Sequence, residues 1–164
     1  MSDLHDLGAD SKDAGVWVRA RLLHRVRRGA YVDAARWPTA DPTGRSTLQH
    51  RASVHALTSH PGNDFHAAGA SAAVLHGLPL IEPFAGTHLA RGSLGPSERN
   101  GDVVVQTWWG PESLGTAHGL PVLTPAATVA SLATLRGVEP GVVALDAALH
   151  TPSPSPCPAH RPSC

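Results

Sequence analysis

Residues 23–32, LHRVRRGAYV, set His24, Arg25, Arg27 and Arg28 beside one glycine and one tyrosine. Guanidinium groups at this density can neutralise phosphate oxygens through charge-assisted hydrogen bonds, and the Tyr31 hydroxyl supplies one more donor. Nucleic-acid backbone is the ligand class that this chemistry fits. Arg19 and Arg21 precede the stretch and Arg36 follows it, with Asp33 the one acid between residues 19 and 36. A charged hairpin also serves as a solvated edge that discourages sheet-to-sheet pairing, and residue types alone leave both roles open. Residues 92–164 carry only Arg99, Arg136 and Arg161 as fixed cations, so contact with phosphate is expected to begin in the first quarter.

A second group invites metal chemistry: His50, His55, His60, His66 and His76 follow one another closely. None stands at the i, i+4 spacing of a metal-binding helix, there is no His-Glu-x-x-His, and Asp64 and Glu82 lie in turn-like contexts. His76, ahead of Gly77-Leu78-Pro79, is expected to meet the last carbonyls of a helix instead. For hydrolysis, Ser71, Asp146 and the histidines contain the residue types of a triad, without a Gly-x-Ser-x-Gly elbow or any other local signature. Lys12 is the only lysine, so no Glu-x-Lys nuclease pattern is present. The expectation is a non-enzymatic chain with no metal and no cofactor.

These residues need elements to hold them. A helix is expected from about Asp10, with Val16, Ala20 and Leu23 on one face. In the following hairpin Gly29 is the natural left-handed position, and a type I turn with a glycine bulge sets Val26 opposite Ala30 and His24 opposite Val32. That register collects Leu22, Val26, Ala30 and Val32 on an apolar face, with Arg27 and Arg28 at the tip. DPTGRS reads as a loop and Ser46-Thr47-Leu48-Gln49 as a capping box, starting a helix that runs to about Ser59. GASAAVLHGLP reads as a buried Ala-rich helix stopped by Gly77 and Pro79. Strands are expected at 87–91, 102–109 and 120–124, with Trp108 and Trp109 pointing to opposite faces. Thr124-Pro125 opens a helix whose buried side is Val129, Leu132 and Leu135, and a last helix fits Gly141 to Leu149.

The 164 residues carry zero formal net charge and include 16 glycines and 15 prolines, so part of the chain is expected to be irregular. Five of those prolines fall in TPSPSPCPAHRPSC, which reads as a disordered tail. Cys157 and Cys164, both within that tail, exclude a disulfide framework or a four-cysteine zinc site. No run of about 18 apolar residues appears, and the acidic N-terminus is unlike a secretory signal. A cytoplasmic location and no membrane contact are expected.

The order LHRVRRGAYV, Trp37, an amphipathic helix, SAAVLHGLPL (71–80), GLPVLTPAATVASLA (119–133) and LDAAL (145–149) resembles the actinobacterial relatives of AbiEi-type antitoxins and transcriptional regulators. Some of these continue into a very-short-patch-repair-like endonuclease domain. The resemblance implies an α+β chain: a partial winged helix-turn-helix at 1–45, a small mixed α/β domain at 46–150 and the tail at 151–164. It also implies a regulator of a type IV toxin-antitoxin system, with DNA and a cognate toxin protein as partners and a homodimer open as well. LHRVRRGAYV then matches the wing, so Arg25, Arg27, Arg28 and Tyr31 inherit a phosphate or minor-groove role in DNA contact, and Arg19 and Arg21 on the preceding helix are expected to extend the patch. Relatives have more chain before the wing, often a Ser-His pair where Ala68-Gly69 stands here, and an Arg and an Asp in the 127–133 segment that this chain lacks. They also continue beyond the last helix, which points to a truncated or frame-disrupted C-terminus. The alternatives are a protein-interaction module and an inactive remnant of a larger endonuclease-like protein.

Overall fold

A computed structural model describes residues 11–39, 41–59, 62–82, 84, 86–107 and 109–150. The tail expected at 151–164 and the Asp10 cap lie outside the described residues. The chain is α+β, and none of its described helices is long and apolar enough to cross a membrane.

The first helix, α1 (Ser11–Arg19), buries Ala14 and leaves Val16 half exposed, so the expected apolar face is displaced. Next come strands β1 (Leu23–Arg27) and β2 (Ala30–Asp33), an antiparallel hairpin with His24 opposite Val32 and Arg25 opposite Tyr31. At the tip, Arg27 rather than Val26 pairs with Ala30, and the extra residue lies between Arg25 and Arg27. Gly29 alone takes a positive φ there, +79°. Moving the bulge to Val26 lets that side chain pack with Ala30 and Val32 while Arg28 keeps an ordinary backbone. Leu22 precedes the strand and is exposed, contrary to the apolar face expected for it.

After the short α2 (Arg36–Thr39) comes α3 (Pro42–Thr58). DPTGRS is therefore the start of a helix and not a loop: the Gly44 N–H donates to Asp41 Oδ1 at 2.5 Å, and Pro42 occupies the first turn, where no N–H is needed. Ser46 is consequently a helix-interior residue and makes no capping box. The helix crosses the 45/46 boundary and serves both sides of it. Ala52, Leu48 and Ala56 pack against the hairpin, while Val54 enters the core beneath the sheet.

The sheet has six strands in the order β5-β6-β4-β3-β8-β7: β3 (Phe65–Ala67), β4 (Thr87–Arg91), β5 (Glu98–Asn100), β6 (Val103–Gln106), β7 (Leu114–Ala117) and β8 (Leu120–Leu123). The pairs β4/β6 and β3/β8 are parallel and the others antiparallel. Register aligns Val105, Leu89, Ala67 and Val122 across four strands, a buried row covered by Val54, Ala72 and Leu75. The strand expected over 102–109 ends at Gln106. Trp108 lies outside the described residues, and Trp109 is half-buried against Ala68, Ala90, Leu123 and Ala127.

Three helices complete the fold: α4 (Gly69–Leu75), α5 (Pro125–Arg136) and α6 (Val138–His150). The composition of α4 follows from its place. Ala72 and Leu75 face the sheet core, while Ala70 and Ala73 face Leu132 of α5 and Ala144 of α6. A helix covered on two sides is apolar all round, and small side chains let both neighbours approach. It ends as expected: Gly77 has φ +72°, its N–H donates to Val74 O at 3.1 Å, and the Leu78 N–H donates to Ala73 O at 2.8 Å.

Candidate functional site

The hairpin rests on α3 through its apolar underside. Ala30 and Val32 are buried with Ala52, and Val26, Trp37, Leu48 and Ala56 pack around them. His24 stacks flat on Trp37, with ring centroids 4.2 Å apart and planes 13° apart. The base is tied by the Ala34 N–H donating to Leu22 O, and Leu22 is joined back to α1 through Trp17 O.

Above that base the six residues singled out for DNA divide. Arg25 and Arg28 are exposed on the hairpin, and Arg19 and Arg21 are exposed where α1 runs into it, Arg21 with φ +58°. Tyr31 is half-buried beside its cross-strand neighbour Arg25, whose Nε donates to Arg27 O at 3.4 Å. Arg27 turns away from the tip toward the sheet, its Nη1 3.8 Å from Asp102 Oδ2. That nitrogen is buried without a hydrogen-bond partner, so the contact is an ion pair without a direct hydrogen bond. Chemically, Arg25 and Arg28 are solvent-facing cations on the hairpin and Arg19 and Arg21 are solvent-facing cations at the end of α1, while Arg27 joins the hairpin to the β5–β6 turn.

A second polar constellation lies in the interior: of the residue types named for a triad, Ser71 and His50 come together, while Asp146 stands on α6 beside His150. His50 of α3 and Ser71 of α4 are fully buried, with His50 Nδ1 3.0 Å from Ser71 Oγ and His50 Nε2 2.9 Å from Phe84 O. A carbonyl only accepts, so Nε2 carries the proton and Nδ1 receives the Ser71 O–H. Ser71 Oγ accepts in turn from the His88 N–H at 2.9 Å.

His88 closes the network at the start of α4. Ala68, the residue before that helix, has no capping side chain, and the orphan donors are met from elsewhere. The Ala70 N–H donates to His88 Nδ1 at 3.1 Å and the Gly69 N–H to Ser131 Oγ at 2.9 Å, with Ser131 donating to Gln106 Oε1. Gly69 has φ +45°, and a Cβ there would lie 2.6 Å from His88 Nδ1, so the close approach requires glycine. His88 Nδ1 is thus an acceptor and the ring is neutral. Burial lowers its pKa to about 4, aided by the positive charge of Arg136 and Arg99 and by that of His50 whenever it is protonated. Burial lowers His50 too, partly opposed by its bond to Phe84 O.

Hydroxyl, imidazole and orienting carbonyl repeat the connectivity of a nucleophile and base. Here both side chains are sealed from solvent, so the arrangement holds α3, α4 and β4 together. An adjacent cavity of about 420 Å³, lined by Ala70, Phe84, Leu132, Leu135 and Arg136 among others, reaches none of Ser71, His50 or His88. His76 also differs from expectation. Its Nε2 donates to Leu123 O of β8 at 2.8 Å instead of to its own helix. Among the described residues no three His, Cys, Asp or Glu side chains converge on one point, and His60 lies outside them.

No protein-family model, curated protein or solved structure matches this chain.

Proposed function

We propose that the chain is a non-enzymatic DNA-binding regulator similar to AbiEi-type antitoxins, acting in the cytoplasm, with the hairpin as its wing in a partial winged helix-turn-helix. The observation that carries this reading is the mounting of the hairpin. Exposed Arg25 and Arg28 project from a ribbon whose other face is buried on α3, so ordering the ribbon on DNA costs little further entropy. Arg19 and Arg21 extend the patch along the backbone, and Tyr31 stands beside Arg25. Arg27, held against Asp102, positions the tip.

Duplex binding measured against salt tests the reading, since each neutralised phosphate contributes about −0.9 to the log-log slope. Arg25→Ala/Arg28→Ala is expected to flatten that slope by about 2. An unchanged slope, or no retention on DNA at low salt, removes the hairpin from the function.

A further inference from the structure

The outer face of α6 carries Val138, Val142, Leu145 and Leu149, exposed by 76, 56, 45 and 76%. Other exposed apolar side chains among the described residues are Val16, Leu22, Ile81 and Leu94, which stand singly in separate segments, and Val143, which is on α6 but about 100° round the helix from Val142. The α6 group is different because its spacing of four, three and four residues confines it to an arc of about 60° on a helix of 3.6 residues per turn. It is a coiled-coil type of seam. None of the cores formed by the described residues includes it. Gly141 and Ala144 are buried on another side of α6, where a Cβ at Gly141 would meet Ala133 of α5 at 2.6 Å.

We infer that this seam pairs α6 with α6 of a second copy of the chain, antiparallel about a two-fold axis near residues 143 and 144. The spacing reads the same in both directions. Running the second helix backward sets Val138 against the second copy's Leu149 and Val142 against its Leu145, twice each, as an isologous interface requires. Charge agrees with this direction whenever the His150 imidazole is protonated. Glu139 in the first turn and His150 in the last lie on the same flank of the seam, so antiparallel pairing brings each Glu139 beside the other copy's His150. His150 Nδ1 already lies 3.6 Å from Asp146 of its own helix, so the imidazole meets a carboxylate on either side. The first turn of each helix also meets the last turn of the other, which opposes their dipoles favourably. Four side chains per copy fall short of the roughly 800 Å² per partner of a standard interface, so the dimer is a reversible one. This inference does not depend on the hairpin binding DNA.

Sedimentation equilibrium of the full chain over a wide concentration range tests it. Reversible dimerisation is expected, abolished by Val142→Glu/Leu145→Glu with an unchanged circular-dichroism spectrum. A chain that stays monomeric at several hundred micromolar overturns the inference, as does a dimer that survives the double substitution. Direction is tested by short-arm thiol cross-linking in a Cys157→Ser/Cys164→Ser background. Val138→Cys protein is expected to link to Leu149→Cys protein and not to itself, whereas self-linking of Val138→Cys overturns the antiparallel register.

Discussion

His50 and Ser71, 21 residues apart in sequence, share one buried hydrogen bond of 3.0 Å in which the serine hydroxyl donates to the imidazole. The same oxygen accepts from the His88 N–H, so a single hydroxyl satisfies two buried groups. Ser71→Ala leaves an acceptor and a donor unpaired in the core and is expected to cost about 3 kcal/mol. Urea unfolding measures this. The double change Ser71→Ala/His50→Phe is expected to cost at least about 1 kcal/mol less than the sum of the single changes, because it also removes the orphaned acceptor. Strict additivity would show that the bond contributes nothing.

Stability is expected to fall on mild acidification. His88 titrates near 4 when folded against 6.5 when unfolded, so the unfolded chain binds more protons between those values. The contribution is complete above pH 6.5 and is lost as pH falls toward 4. At about 1.4 kcal/mol per unit of pKa it amounts to about 3 kcal/mol. His88→Asn, whose Oδ1 can accept from Ala70 in place of Nδ1, is expected to flatten the pH dependence between 6.5 and 4.5 while His50 retains its own share. Equal slopes in wild type and variant would refute the assignment.

Arg27 and Asp102 join the hairpin to the sheet at modest strength, since Asp102 is largely exposed and the separation is 3.8 Å. Arg27→Met is expected to change unfolding stability by less than about 1 kcal/mol, because it removes the buried, unpaired Nη1 together with the ion pair. Asp102→Ala keeps that nitrogen and loses the carboxylate, so it is expected to destabilise more than Arg27→Met does. Paired urea titrations give the order directly.

Asp41 caps α3, and Asp41→Ala is expected to cost about 1 kcal/mol. Ser46→Ala, at the Ser of the capping-box pattern Ser46-Thr47-Leu48-Gln49, is expected to cost less than Asp41→Ala. Thermal melts of both proteins decide between the two starts of the helix.

Several elements were legible because their signals are local. The Gly77-Leu78-Pro79 stop of α4, the Thr124-Pro125 start of α5 and the run from Thr87 to Arg91 each follow from backbone preferences within a few residues. Even so, the Thr124 hydroxyl makes no capping bond, so it was the proline that marked the start. Strands β3, β5 and β7 were not legible. At three or four residues each they exist by pairing with neighbours distant in sequence, and nothing within Phe65–Ala67 announces that it will lie between β4 and β8.

The same division applies to the candidate sites. The chain's own order of residues determined that a glycine-turned hairpin would carry arginines over an apolar underside, because alternation along a strand and the φ freedom of Gly29 are local properties. Only the tertiary structure decided that Arg27 would leave that group for Asp102, 75 positions away in the numbering, and that Val26 would take up the bulge. The tertiary structure likewise decided the neutral state of His88. Its ring is an acceptor because the packing of α4 against β4 aims the Ala70 N–H at Nδ1 in a buried site. Side-chain type sets which bonds a residue is able to make, whereas burial and the neighbours assembled by the fold set which of them it does make.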